Sequence, residues 1–192
     1  MKYEKTNNVR YCPICRNVGE FQDFEGREAA QCPVCKSLHR QRFQWLFLEE
    51  FLKGHPAGAK LLQFAPERCF IPHCKELFGE ENYTTADIEV GGLATQVVDI
   101  TDLKFADETF DYLLCSLFEQ ITDNRKTIDE IHRVLKKGGI AFLALPTEEL
   151  QREVEKAGFA LESIAVKDIV KNEFLADFLG LDPLETLFLA KK

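Results

Sequence analysis

The sequence predicts an α/β fold, a mostly parallel sheet with helices on both faces, behind a small cysteine-rich module. Three observations carry that expectation. From about residue 57 onward, strand-length apolar stretches alternate with helical ones, the pattern of a parallel sheet with helical crossovers. Within the first 36 residues, four cysteines stand in two C-x2-C pairs. The chain has 192 residues, 45% apolar and 29% charged, enough for one ordinary core and an appendage. The expected organisation is a ribbon over 1–36, a connecting helix over 37–56 and the α/β domain over 57–192.

Up to Lys36 the chain is made of short apolar pieces between Cys-Pro turns, with no sustained helical period. Cys12-Pro-Ile-Cys15 and Cys32-Pro-Val-Cys35 are separated by sixteen residues. Each two-residue spacer aims two thiolates at one point, and the longer spacer forms a hairpin that brings the pairs together. That is how a tetrahedral Zn2+ site is assembled. Four protein thiolates fill the shell and leave no position for an activated water, so the metal is expected to be structural. The alternative is a set of ordinary buried or redox thiols. His39, close behind Cys35, is a conceivable substitute ligand but reads more simply as a helix-start histidine. Cys69, His73 and Cys74 could be drawn as a second site, but they lack a partner pair and read as buried thiols with a neighbouring histidine.

From Ser37 the texture changes. SLHRQRFQWLFLEEFLKG spaces Leu38, Phe43, Trp45, Leu46, Leu48 and Leu52 at roughly helical intervals, and Gly54 with Pro56 stops the helix. AKLLQFAP reads as a strand, followed by a helix through Glu76; NYTTADI, ATQVVDI and FDYLLCSLF read as further buried strands. A helix from about Asn124 to Lys136 is expected to end at Gly138-Gly139, with Arg133, Lys136 and Lys137 favoured there by the helix dipole. IAFLALP is the next strand, ending at Pro146, and TEELQREVEKAG a helix closing at Gly158. ALESIAV, a helical insert around NEFLADFLG, and ETLFLAKK complete the chain.

The formal net charge is −8, which argues against broad adhesion to nucleic acid or an anionic membrane. Residues 1–53 hold nine basic and seven acidic side chains, so any polyanion contact would fall there. No apolar run approaches the roughly 20 residues of a membrane span, and the N-terminus has no signal-peptide pattern. The expected location is the cytoplasm, where seven cysteines are thiols or metal ligands rather than a disulfide framework.

Ligands of open parallel sheets bind beyond the carboxyl ends of the strands. Asp87 ends NYTTAD and Asp99 ends TQVVD. Both would overlook one crevice, where one carboxylate could accept from ribose hydroxyls and the other from an adenine amino group. Aspartates that simply form turns at strand ends are the alternative.

VVDITDLKFADETFDYLLCSLFEQI followed by IDEIHRVLKKGGIAFLALP resembles the second half of class I S-adenosylmethionine-dependent methyltransferases of the type 11 kind. CPVCKSLHRQRFQWLFL, LLQFAPE and YTTADI extend the resemblance to a subfamily with an N-terminal four-cysteine zinc knuckle. The resemblance implies a Rossmann-like sheet with its last strand antiparallel, S-adenosylmethionine as cofactor and structural zinc. It also implies cofactor contacts from Phe64, Ala65, Pro66 and Glu67 at the methionine moiety and Asp87 at the ribose with Ile88 beside it. Asp99 and Ile100 fall at the adenine, and Cys115 and Ser116 on the floor. The chain departs from the family where D-x-G-x-G-x-G is replaced by Gln63, Ala65, Glu67 and Cys69, and where Gln120 stands in place of a histidine. Asp87 and Asp99 are also only twelve residues apart, so a loop must replace a crossover helix.

Methyl transfer from a sulfonium is an in-line displacement that needs alignment and exclusion of water, and no nucleophilic side chain. Glu67, Glu119 and His132 are the conceivable general bases, and none is singled out as catalytic. The favoured reading is a methyltransferase acting on a small-molecule or protein acceptor. The alternatives are a non-catalytic interaction module and an RNA methyltransferase. In the last, Arg27, Lys36, Arg40 and Arg42 would meet phosphates while Phe43 and Trp45 stack on bases.

Overall fold

The computed structural model describes residues 8–89, 92–116, 123–145 and 147–192; Glu119, Gln120 and Pro146 lie outside the described residues. In chain order the N-terminal part holds β1 (Val9–Tyr11), β2 (Val18–Glu20), β3 (Gln22–Phe24), β4 (Arg27–Gln31) and α1 (His39–Lys53). Then follow β5 (Leu61–Phe64), α2 (Ile71–Phe78), β6 (Tyr83–Asp87), β7 (Gln96–Val97), β8 (Phe110–Cys115), α3 (Asn124–Val134), β9 (Leu135–Leu143) and α4 (Glu148–Lys156). The last elements are β10 (Ala160–Ala165), α5 (Val166–Ile169), α6 (Glu173–Phe178) and β11 (Thr186–Lys191). Two compact units form. One joins the chain up to Lys53 to Ala165–Glu185; the other joins Gly54–Ile164 to Thr186–Lys192.

The larger unit is a seven-stranded sheet in the order β10-β11-β9-β8-β5-β6-β7. β9, β8, β5, β6 and β7 run parallel, and β11 pairs antiparallel with β9, Phe188 opposite Leu143. The fold class is therefore as the sequence indicates. β5 is an interior strand and all four of its residues are buried, as a strand covered on both faces requires. Ile128, Ile131 and Val134 at i, i+3 and i+6 place one face of α3 on Leu113, Cys115 and Ala141, while α4 adds Leu150 and Val154 to the same core. Side chains start both helices, Asp123 accepting from the Lys126 amide at 3.1 Å and Thr147 from that of Leu150 at 3.3 Å.

Two local readings change. The helix ahead of the glycine pair stops at Val134, not at Lys136, because Leu135 already pairs with Phe110 as the first residue of β9. The register then shifts, so that Tyr112 faces Ile140, and Lys136–Gly139 form an irregularity within the strand. Gly138 takes φ +77° there, and its amide bonds the Lys192 carbonyl at 2.9 Å. Lys136 is accordingly no helix-end cation; its Nζ lies 2.7 Å from Asp111. ATQVVDI, read as a buried strand, supplies only the exposed edge pair Gln96–Val97. Thr95 folds back on Thr85 through mutual backbone and hydroxyl bonds of 2.8–3.0 Å, which keeps the pairing short.

The smaller unit contains two hairpins, β1–β2 and β3–β4. After β1 and again after β4 the chain makes the same knuckle. Cys12 and Cys32 each accept from the amide four residues on, at 2.8 and 3.1 Å, and donate their own amide to the carbonyl five residues on, at 2.8 and 2.9 Å. Arg16 and Lys36, the residues just past each second cysteine, both take the left-handed conformation, φ +60° and +62°. α1 buries Phe43, Trp45, Leu48 and Leu52. The segment between β10 and β11 packs with this unit, where Tyr11 stacks on Phe178 with centroids 6.5 Å apart and Arg10 meets Asp177 at 3.3 Å.

Candidate functional site

β5 lies where strand order reverses. The chain proceeds from β5 outward through β6 to β7 and then returns to the other side of β5 as β8. That reversal opens a crevice at the carboxyl ends of β5 and β8. Parallel register sets the residues there, with Phe64 beside Ala86 on one flank and Cys115 on the other. Ala65 extends the ladder by one bond, its amide 2.8 Å from the Ala86 carbonyl.

Ala65 has φ +51°, a left-handed conformation that L-residues other than Asn and Asp rarely adopt. It stands at the first glycine position of the pattern that the sequence resembles. Alanine thus takes a conformation that glycine adopts without strain. Pro66 and Glu67 follow, and the Ser116 hydroxyl reaches the Glu67 carboxylate at 3.3 Å, linking the loops that leave β5 and β8. Asp87 closes β6, with Oδ1 3.3 Å from the Glu89 amide, and Ile88 beside it is 62% exposed. Asp99 lies two residues past β7 and accepts from the Thr101 amide and hydroxyl, both at 2.8 Å. Those bonds, the backbone one foremost, hold its carboxyl below the usual range. Ile100 is buried. Phe64, Ala65, Pro66, Glu67, Asp87, Ile88, Asp99, Ile100, Cys115 and Ser116 thus all belong to loops or strand ends at one edge of the sheet.

Beneath the first turn lies a buried polar pair. Tyr83 donates its hydroxyl to Gln63 Oε1 at 2.5 Å, and Gln63 Nε2 has no partner among the described residues. Burial pushes the Cys74 thiol up to about 12 and raises the Tyr83 phenol as well. Cys74 is therefore an inert thiol, and Cys69 is buried too. Among the described residues, Cys69, His73 and Cys74 do not form a metal-capable group. His132 on α3 meets Phe159 edge-on at 5.0 Å, and burial lowers its pKa, as for a packed histidine.

In the smaller unit the Sγ atoms of Cys12, Cys15, Cys32 and Cys35 lie within 4.8 Å of one another, with Cys12–Cys35 and Cys15–Cys32 at 3.5 Å. Bonds of about 2.3 Å to a tetrahedral zinc put sulfurs roughly 3.8 Å apart, so the cluster fits that ion. None of the seven cysteines is in a disulfide. The mutual hydrogen bond pushes the Cys12 thiol up to about 12, with burial adding to it, and lowers that of Cys35. The Ser37 hydroxyl, fully buried, lies 3.3 Å from Cys12 Sγ and 3.1 Å from Cys35 Sγ. Sequence reasoning did not single out Ser37; its signal was its place two residues after Cys35. His39 is no substitute ligand. Its Nδ1 sits 2.9 Å from Glu185, and its Nε2 contacts Arg27.

The basic and aromatic residues expected to meet RNA are dispersed. Arg42, Phe43 and Trp45 are buried, Arg27 is on His39, and Lys36 bonds Gln22 at 3.1 Å.

Residues 57–143 match the family model described as a methyltransferase domain. The match spans 87 of the chain's 192 residues. Solved structures share its fold. A complex from Haloferax volcanii between the Trm112 methyltransferase activator and a methyltransferase aligns with TM-score 0.55 and 18% identity over 77% of this chain and 88% of that one. An S-adenosylmethionine-dependent methyltransferase from Mesorhizobium loti gives 0.53 and 14%, covering 78% and 98%. Phosphoethanolamine N-methyltransferase 2 from Haemonchus contortus, in complex with S-adenosyl-L-methionine, gives 0.52 and 16%, covering 77% of this chain and 51% of that one. No curated protein matches the chain. The fold is one that this chain shares with solved methyltransferases. The crevice at the ends of β5, β6 and β8 belongs wholly to the larger unit, which also contains the matched residues 57–143.

Proposed function

We propose that the chain transfers a methyl group from S-adenosylmethionine to a small-molecule or protein acceptor, with a structural zinc ion on Cys12, Cys15, Cys32 and Cys35. The observation that carries this reading is the left-handed Ala65 at the switch point, flanked by Ser116 and Glu67 on one side and followed by Asp87 on the next strand. Backbone strain of this kind is found at ligand sites, and φ +51° at the switch point supports a backbone shaped to let a ligand approach.

In this reading Asp87 accepts from the ribose hydroxyls with Ile88 covering one face, Asp99 and Ile100 border the adenine, and Cys115 and Ser116 form the floor. Phe64, Ala65, Pro66 and Glu67 border the methionine moiety. When bound, the cofactor supplies an electrophilic methyl group on a sulfonium. The protein's part is to align and to exclude water, and Glu67 is the titratable group that Ser116 orients at the crevice. No general base is assigned. Zinc, closed by four thiolates, takes no part in the chemistry. Seven cysteines with none in a disulfide accord with a reducing compartment, and we place the protein in the cytoplasm. Among the described residues no helix is long and apolar enough to cross a membrane.

Calorimetry with S-adenosylmethionine and its demethylated product on the zinc-loaded chain tests the reading. Saturable binding that weakens at least tenfold in Asp87→Ala is expected, and no heat with either ligand overturns it. A non-catalytic module is favoured by one observation, the glycine-free first turn. It predicts binding without methyl transfer to any acceptor in an extract.

A further inference from the structure

Arg42 has no exposed surface, yet every hydrogen bond it makes among the described residues goes to a backbone carbonyl. Nη1 donates to Ser37 at 2.7 Å and to Ala30 at 3.1 Å. Nε donates to Leu179 at 3.0 Å, and Nη2 donates to Gly180. The guanidinium also lies over the Phe21 ring, 5.0 Å from its centroid. Among the described residues no carboxylate forms an ion pair with it.

The four carbonyls come from two places. Ala30 and Ser37 bracket the second cysteine knuckle, and Ser37 is itself tied to it, its carbonyl receiving the Cys32 amide at 2.9 Å and its hydroxyl touching Cys12 and Cys35. Leu179 and Gly180 are the first residues past α6, where a helix leaves carbonyls without partners and favours a cation. Fit at the second place is tight. Gly180 takes φ +61°, and a Cβ there would stand 2.8 Å from Arg42 Nη2.

A buried cation surrounded only by carbonyls needs an opposite charge. The cysteine cluster is the source. Burial pushes the Arg42 pKa down to about 10, against which the charges of Cys12, Cys32 and Cys35 act. Zinc held by four thiolates carries two net negative charges, the sign that a buried guanidinium needs.

We propose that Arg42 couples metal binding to the fold of the 165–185 segment: one guanidinium supports the knuckle through Ser37 and Ala30, balances the zinc–thiolate charge and caps the carboxyl end of α6. This rests on the zinc reading above. Arg42 is thus a positioning residue for the metal centre, and the segment between β10 and β11 is held in place by the metal.

Hydrogen exchange read by mass spectrometry on the full chain, before and after zinc is stripped by a chelator, tests the coupling. Peptides from 165–185 are expected to exchange at least tenfold faster without zinc, while peptides of β5 and β8 keep their rates. Arg42→Lys is expected to release zinc to a chromophoric chelator about 10–100-fold faster, the range found when groups supporting metal ligands are removed. Should that variant fail to fold, Gly180→Ala, whose Cβ would press on the Arg42 guanidinium and strain the left-handed backbone at 180, is expected to speed release in the same direction. Unchanged exchange in 165–185 after confirmed loss of zinc overturns the coupling while leaving the zinc site standing. Unchanged release rates in both variants do the same. A chain that retains no zinc under any loading overturns the metal reading and the coupling with it.

Discussion

Ser116, just past β8, donates its hydroxyl to the Glu67 carboxylate, just past β5, at 3.3 Å. The bond spans the point where strand order reverses, so two loops 49 residues apart in the chain are locked into one wall. A carboxylate held this way is oriented before any ligand arrives, and orientation set in advance lowers the entropy cost of binding.

Glu67→Gln keeps the shape of that wall and removes its charge. If the carboxylate faces the cationic end of the donor, affinity for S-adenosylmethionine falls about tenfold, the equivalent of about 1.4 kcal/mol. Ser116→Ala, which frees the carboxylate without removing it, costs less, in keeping with a single hydrogen bond of about 1 kcal/mol. Calorimetric Kd values for both variants check the order. Equal affinities in all three proteins would place Glu67 outside the binding site.

Ala65 supplies a test of the first turn. Its φ of +51° costs an alanine roughly 1 kcal/mol, a strain from which glycine is exempt. Ala65→Gly is therefore expected to raise the melting temperature by about 2–4 °C, the shift about 1 kcal/mol makes in a chain of this size. Ala65→Val, β-branched and far less able to adopt that conformation, is expected to lower it by more. Scanning calorimetry on the two variants decides; a stabilising valine would mean that the turn is not left-handed.

Arg133 organises the loop between β7 and β8. It meets Glu130 at 2.7 Å and Asp107 at 2.7 Å, and donates to the carbonyls of Leu103 and Phe105 at 2.7 and 2.8 Å. The Arg133 hydrogen bond is the main reason that the Glu130 carboxyl lies below its ordinary value. A carboxyl lowered on folding contributes stability that is fully present above its unfolded pKa of about 4.3 and is lost as pH falls through the lower folded value. Glu130→Gln is accordingly expected to destabilise the protein at pH 7 by about 1–3 kcal/mol, the range for a lost charged hydrogen bond. The penalty should shrink toward pH 3. Urea melts of wild type and variant at the two pH values give the difference, and a penalty independent of pH would assign the effect to shape alone.

The parts of this molecule that were legible in the sequence are those whose determinants are local. The two knuckles follow from Cys-Pro-x-Cys spacing, and the strand ends at Asp87 and Cys115 follow from apolar runs closed by polar residues. What was not legible depends on partners far away in the chain. Arg42 reads as a surface cation because its residue type says so; four carbonyls, two of them from residues 179 and 180, turn it inward. The length of α3 was misjudged because Lys-Lys-Gly-Gly resembles a helix end, whereas pairing of Leu135 with Phe110 ends it earlier. ATQVVDI has the composition of a buried strand, and the Thr85–Thr95 bonds leave it at an exposed edge.

The cysteine cluster permits a last prediction that needs no knowledge of the acceptor. Purified with metal, the chain is expected to hold one zinc per molecule, and a thiol-reactive mercurial should release it as the four sulfurs are titrated. Cys12→Ser and Cys32→Ser each remove one fully buried ligand, and with it the closed shell on which a structural site depends. Near-complete loss of zinc is expected in both. Binding of zinc requires deprotonated sulfur. Occupancy should therefore fall as pH is lowered, since protons compete with the metal for the same sulfurs. Metal content by atomic absorption across a pH series measures this directly. Full occupancy in either serine variant would remove that cysteine from the ligand set.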